Sequence, residues 1–262
     1  MENARLCRAT DEVEPDYVIK KYAYYGYLNT NSSVTVQFDR NVISEEDMKR
    51  KMNNVDQILL NIEKDFSGKT FGDLKKYSAK TANYFESLGI KKGDTVMLVL
   101  KRHYQFWFCM MGLNKLGAIA IPATNQLQEH DFEYRFNAAD IKTILCTADG
   151  DTAHQVDLVA DKCPQLVNKI MVGGKRDGWR DFDEEYMMYS THFERTEDSP
   201  CGDDLLLMFF TSGTSGYPKL AAHNHKYPLG HFHTAKYWHC VNPNGLHFTI
   251  SDTGWAKSMW GK

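Results

Sequence analysis

The sequence predicts an α/β fold, with mostly parallel sheets flanked by helices. Short continuous apolar runs such as Val96 to Leu100 have the character of strands buried on both faces. Between those runs stand amphipathic stretches of roughly ten to fifteen residues at helical period, the alternation that builds βαβ units. Composition agrees: 42% of residues are hydrophobic and 25% charged, which excludes a disordered chain and allows a core without staples.

Taken in order, Tyr22 to Phe38 gives no clear element and reads as an arm. From Ser44 a helix is expected, with Asp47 three positions on and Met48, Met52, Val55, Ile58, Leu59 and Ile62 at helical spacing. A second helix starts at Thr70 with Asp73 at the capping-box position; Leu74, Tyr77, Thr81, Phe85 and Leu88 line one face and Gly89 ends it. After the turn Lys92-Gly93-Asp94 comes the strand Val96 to Leu100. Tyr104 to Leu116 reads as a helix stopped by Gly117, and Ala118 to Ile121 as a strand closed by Pro122. Glu129 to Ala139 and Val156 to Lys162 read as helices, Thr143 to Cys146 and Lys169 to Val172 as strands. The polar runs GGKRDGW and THFERTEDSPCGDD are loops, the second a subdomain boundary.

Charge and cysteine usage narrow the function. Thirty-one Lys and Arg against 34 Asp and Glu leave a net charge of −3, so no positive excess exists to displace counterions from nucleic acid. The apolar stretch Phe106 to Pro122 is interrupted by Asn114 and Lys115 and is too short to span a bilayer. The first sixteen residues lack the apolar region of a secretory signal. Six cysteines (Cys7, Cys109, Cys146, Cys163, Cys201, Cys240) form no C-x-x-C pair and read as reduced, buried thiols of a cytoplasmic protein.

The chemistry concentrates in Leu205 to His223. An apolar strand runs into Thr211-Ser212-Gly213-Thr214-Ser215-Gly216-Tyr217-Pro218-Lys219, and an extended segment leaves it. Gly213 and Gly216 allow main-chain amides to approach an anion. The hydroxyls of Thr211, Ser212, Thr214 and Ser215 can donate to phosphate oxygens, and Lys219 adds a fixed positive charge. A Walker A loop opens a helix and carries Gly-Lys, which this segment does not. Ser, Thr and Gly together also make ordinary surface loops; one lysine, one proline and no acidic residue favour the anion site.

TSGTSGYPK resembles the phosphate-binding signature of the AMP-forming acyl-CoA synthetases, members of the adenylate-forming superfamily. TFGDLKKYSAKTANYFESLGIKKGDTVMLVL and LNKLGAIAIPATNQL resemble that family's early core, and SDTGWAKSMWG resembles the segment of its acetyl- to medium-chain branch that reaches the acyl and pantetheine channel. The resemblance, over Lys69 to Lys262, implies the N-terminal part of the family's large domain. Residues 1–66 match poorly, 67–200 form a first α/β subdomain, and 201–262 begin a second. It implies a carboxylate–CoA ligase: a carboxylic acid attacks the α-phosphorus of ATP, giving acyl-adenylate and pyrophosphate, and coenzyme A then displaces AMP. In that scheme residues 211 to 219 hold the β- and γ-phosphates while Mg2+ offsets their charge. Gln126 stands where relatives contact coenzyme A, or is simply a polar turn residue. Trp255, beside Gly254, walls the acyl pocket or is a core aromatic. Family members carry, beyond this region, a Tyr-Gly-x-Thr-Glu motif for adenine and magnesium, a ribose aspartate, a hinge and an adenylation lysine. The expectation is therefore a fragment of a longer protein that is inactive in adenylation by itself, with no catalytic residue of its own. The alternative is a non-catalytic remnant that binds a nucleotide or phosphate.

Six of ten histidines fall between His223 and His247, including the H-x-H pairs 223/225 and 231/233 and His239 beside Cys240. Imidazole and thiolate are zinc ligands, but the spacing fits no zinc finger, and His231 and His233 on a helix would diverge. Polar residues near an anion site explain them better, and no metal site is expected.

Overall fold

The computed structural model describes the backbone of residues 6–8, 24–28 and 34–38, and the full structure of residues 70–212, 216–241, 251–256 and 258. It divides into two compact units, 1–67 and 68–262. In the first, β1 (Leu6–Arg8), β2 (Tyr24–Leu28) and β3 (Val34–Phe38) form a sheet in that order. β1 runs parallel to β2, while β2 and β3 are antiparallel. The arm thus contains strands that its sequence did not announce. The helix expected from Ser44 is outside the described residues.

The second unit opens with α1 (Phe71–Ser87). Thr70 Oγ1 accepts the Asp73 amide at 3.1 Å, and Asp73 accepts the Thr70 amide at 2.9 Å. This reciprocal capping box satisfies donors that a helix start leaves open. There follow β4 (Thr95–Val99), α2 (Gln105–Leu116), β5 (Ile119–Pro122), α3 (Glu129–Ala138) and β6 (Ile141–Thr147). Gly117 ends α2 with φ 81°, a left-handed cap that glycine adopts without strain. The chain continues through α4 (Thr152–Asp157), β7 (Asn168–Val172), β8 (Arg180–Asp181), α5 (Phe182–Glu185), β9 (Leu205–Thr211), β10 (Lys219–Asn224) and α6 (Tyr227–His233). A π turn extends α6 over Thr234–Trp238.

The strands form one sheet in the order β10-β9-β5-β4-β6-β7-β8, all parallel except the edge strand β10. Alternate residues of β4 enter opposite cores. Val96 and Leu98 face α1, α2 and α5, with Phe85, Phe106, Leu113 and Phe182. Met97 and Val99 face α3 and α4, with Phe132, Phe136 and Val156. The result is three layers, helix–sheet–helix. A Cβ on Gly112 would stand 3.0 Å from Thr81 Cγ2, so this glycine lets α2 approach α1 closely.

Two sequence expectations need correction, and one stretch carried none. The helix expected over Val156–Lys162 starts at Thr152 and stops at Asp157, with only a 3-10 turn at Ala160–Lys162; Pro164 disfavours helical backbone at Cys163. β8 and α5, at Arg180–Glu185, lie between the two expected loops, where no element had been assigned. Among the described cysteines, Cys109, Cys146 and Cys163 are buried, but Cys201 and Cys240 are exposed, because both belong to polar connections rather than apolar runs. Burial pushes the Cys146 thiol up to about 12 and Cys109 well above its ordinary value, which leaves both unreactive.

Candidate functional site

The site is built at the carboxyl ends of β9, β5 and β4, which are neighbours running in one direction. Their following loops therefore emerge at one end of the sheet, where open α/β sheets place their ligands.

β9 and β10 form the hairpin that carries the TSGTSGYPK segment. Thr211 pairs with Lys219, and its hydroxyl donates to the Lys219 carbonyl at 3.3 Å. Gly216 takes φ 84° with open space where a Cβ would stand, so the turn uses its conformational freedom rather than its small size. Thr211, Ser212, Gly216, Tyr217 and Lys219 are exposed. Gly213, Thr214 and Ser215 are outside the described residues. The outgoing arm leans on α3: the rings of Tyr217 and Tyr134 stack at 4.6 Å, and Tyr134 Oη donates to the Pro218 carbonyl at 2.9 Å. A shallow cleft of about 290 Å³ lies here, lined by His130, Asp131, Tyr134, Gly216, Tyr217 and Pro218.

The second segment follows β5. The Ala123 amide continues the ladder to Leu98 O at 2.9 Å, after which the chain turns through Thr124 to Gln126. Gln126 is exposed, and its carbonyl accepts from Gln128 Nε2. The third segment, Ser251 to Trp255, is a turn in which Asp252 Oδ1 accepts the Gly254 amide at 2.8 Å. Its docking is tight: a Cβ on Gly254 would come within 2.4 Å of Ala123 C and Thr124 N. Buried Thr253 donates its hydroxyl to the carbonyl of Lys101, just past β4. Lys101 itself holds φ 47°, and its ammonium meets the Asp149 carboxylate at 2.7 Å. The structure thus joins Gly254 and Trp255 to the turn that bears Gln126. Trp255 is 60% exposed, so the core-aromatic reading of it falls.

Sequence reasoning had not singled out Lys101, Tyr134 or Thr253. Each acts through a partner distant along the chain, which no local pattern reveals. The histidines do not assemble: among the described residues no group of three or more His, Cys, Asp or Glu is placed to hold a metal. His223 stacks on Tyr227 at 3.8 Å instead. His247 is outside the described residues.

Residues 47–259 match the family of AMP-binding enzymes. Among curated proteins, the chain is 35% identical over 194 residues to the mitochondrial acyl-coenzyme A synthetase ACSM3 of Pongo abelii, covering 73% of this chain and 32% of that relative. It is 34% identical to the mitochondrial ACSM5 of Mus musculus over 194 residues, 73% of this chain and 33% of the relative. The chain thus spans about a third of the length of these relatives. A Brucella canis acyl-CoA synthetase shares its fold, with a TM-score of 0.63 and 23% identity over 73% of this chain and 34% of the other. The anthranilate CoA ligase AuaEII, solved with anthranoyl-AMP, gives a TM-score of 0.59 at 23% identity, covering 64% and 32%.

The relatives' names overturn the cytoplasmic expectation, since they are mitochondrial. Buried thiols do not distinguish the cytosol from an organelle interior. No helix among the described residues is long and apolar enough to cross a membrane. The match over 47–259, the acyl-CoA synthetases that resemble the chain, and the largely parallel sheet with its adenylate-forming fold lead to one conclusion: the chain belongs to the AMP-binding enzyme family.

Proposed function

We propose that this chain supplies the ATP-binding part of a mitochondrial carboxylate–CoA ligase, which converts ATP and a carboxylic acid to acyl-AMP and pyrophosphate and then forms acyl-CoA. One observation carries the reading. The TSGTSGYPK hairpin and the turn with Gln126 leave the same end of one sheet, and the turn with Gly254 packs closely on the backbone just before Gln126. In this reading residues 1–66, 67–200 and 201–262 keep separate roles, and the hairpin beginning the last segment supplies the anion site. Thr211 and Ser212 donate hydroxyls, Gly216 and Tyr217 shape the turn, and Pro218 presents Lys219 to the leaving pyrophosphate; Gly213, Thr214 and Ser215 complete the loop. Gln126 contacts coenzyme A, and Gly254 places Trp255 against the acyl group. Mg2+, when bound with ATP, offsets phosphate charge; the reading assigns it to no residue of this chain.

Titration calorimetry with magnesium pyrophosphate tests the assignment. Charge-assisted hydrogen bonds contribute about 1.5–3 kcal/mol, so Lys219→Ala should weaken binding by roughly tenfold or more. The melting temperature should stay in place, because Lys219 is an exposed strand-end residue. Unchanged affinity would remove Lys219 from the site.

A further inference from the structure

We propose that Tyr134 is a positioning residue for the phosphate-binding hairpin, an inference that rests on the phosphate reading above. The hairpin is an edge structure. Among the described residues β10 pairs only with β9, and none of its own residues is buried. α3 grips this hairpin from the side at three points. Tyr134 stacks on Tyr217 at 4.6 Å with an interplanar angle of 20°. Its hydroxyl donates to the Pro218 carbonyl at 2.9 Å, one residue before Lys219. On the incoming arm, Tyr134 meets the Phe210 ring edge-on at 6.3 Å, while the Arg135 guanidinium lies over that ring at 5.1 Å. Arg135 is held in turn by Asp131 Oδ1 at 3.1 Å.

The arrangement has a mechanical consequence. The start of β10 is fixed through Thr211 to β9, and Tyr134 fixes the two residues before it. The Lys219 backbone is thereby clamped between two anchors, so its side chain starts from a fixed place when it reaches for an anion. Such preorganisation lowers the ordering cost of binding. α3 follows directly on the turn bearing Gln126, so the same helix ties the proposed coenzyme A contact to the proposed phosphate contact.

The test uses the full chain, magnesium pyrophosphate as probe and hydrogen exchange at the amides of residues 216, 217, 219 and 220. Tyr134→Phe keeps the stack and loses the hydrogen bond; a bond of about 0.5–1.5 kcal/mol corresponds to two- to tenfold weaker binding. Tyr134→Ala loses both contacts, should weaken binding at least tenfold, and should quicken exchange at residues 216, 217, 219 and 220. If Tyr134 acts through the Lys219 arm, the double variant Tyr134→Ala with Lys219→Ala should bind within about twofold of Lys219→Ala alone. Losses that multiply would overturn the proposal, as would unchanged binding and exchange in Tyr134→Ala. If Lys219→Ala weakens binding and Tyr134→Ala does not, this inference alone fails. If the unaltered chain binds no magnesium pyrophosphate, the phosphate reading fails and takes this one with it.

Discussion

Gly254 shows how much one residue can decide. It is not needed for a left-handed turn; it is needed because the backbone of Ala123 and Thr124 occupies the space a side chain would fill, at 2.4 Å. Backbone atoms cannot rotate aside as a flexible side chain can. Gly254→Ala should therefore lift the Ser251–Trp255 turn off the sheet, and amide exchange at residues 252–255 should accelerate. Thr253→Val leaves the Lys101 carbonyl without its donor, at a cost of about 1–3 kcal/mol. Cysteine chemistry gives a second residue-level expectation. A thiol reagent should modify Cys201 and Cys240 in the native protein before Cys109, Cys146 and Cys163, which are buried. Equal labelling of all five would contradict the burial pattern.

Among the elements, α4 carries an electrostatic fastening. Asp157 at its end accepts from Lys169 Nζ at 2.6 Å, Arg176 Nε at 2.7 Å and Trp179 Nε1 at 3.0 Å, joining the helix to β7 and the loop beyond it. Burial opposes its ionisation, but those three donors outweigh burial and hold the carboxyl below its ordinary 3.8. A depressed carboxyl contributes stability that is present above the unfolded value and is lost as pH falls through the folded one. Asp157→Asn should thus cost about 1–2 kcal/mol at neutral pH, and denaturant titrations should show the gap closing as the pH drops below 3.8. A constant gap would refute the role. Elements with local signals were legible in the sequence. Thr70 and Asp73 marked α1 because a capping box spans only four residues, and Gly117 marked the end of α2. β8 and α5 were not legible: two residues have no period, and Phe182 joins the core through Tyr84, Phe85 and Tyr186, which are scattered along the chain. The site divides in the same way, with TSGTSGYPK plain in the sequence and the Tyr134 contact hidden.

Across the whole molecule, burial separates residues that matter for stability from those that do not. Phe132 is fully buried against Phe136, whereas Phe232 on α6 is 63% exposed and Leu229 is 74% exposed. Phe132→Ala should cost about 3–5 kcal/mol, lowering the melting temperature by on the order of 10 °C. Leu229→Ser and Phe232→Ser should each change stability by no more than about 0.5 kcal/mol. A large loss from either surface substitution would mean that α6 is covered in solution.

The position of β9 also bears on how the hairpin acquires its shape. β4 to β8 come from one unbroken stretch of chain, residues 95–181, but β9 must find β5 from roughly ninety residues away, pairing Leu207 with Ala120. Only then can α3 meet both arms of the hairpin. The gripped shape of the hairpin is consequently a long-range product of the fold rather than a local one, and it presupposes the pairing of β9 with β5.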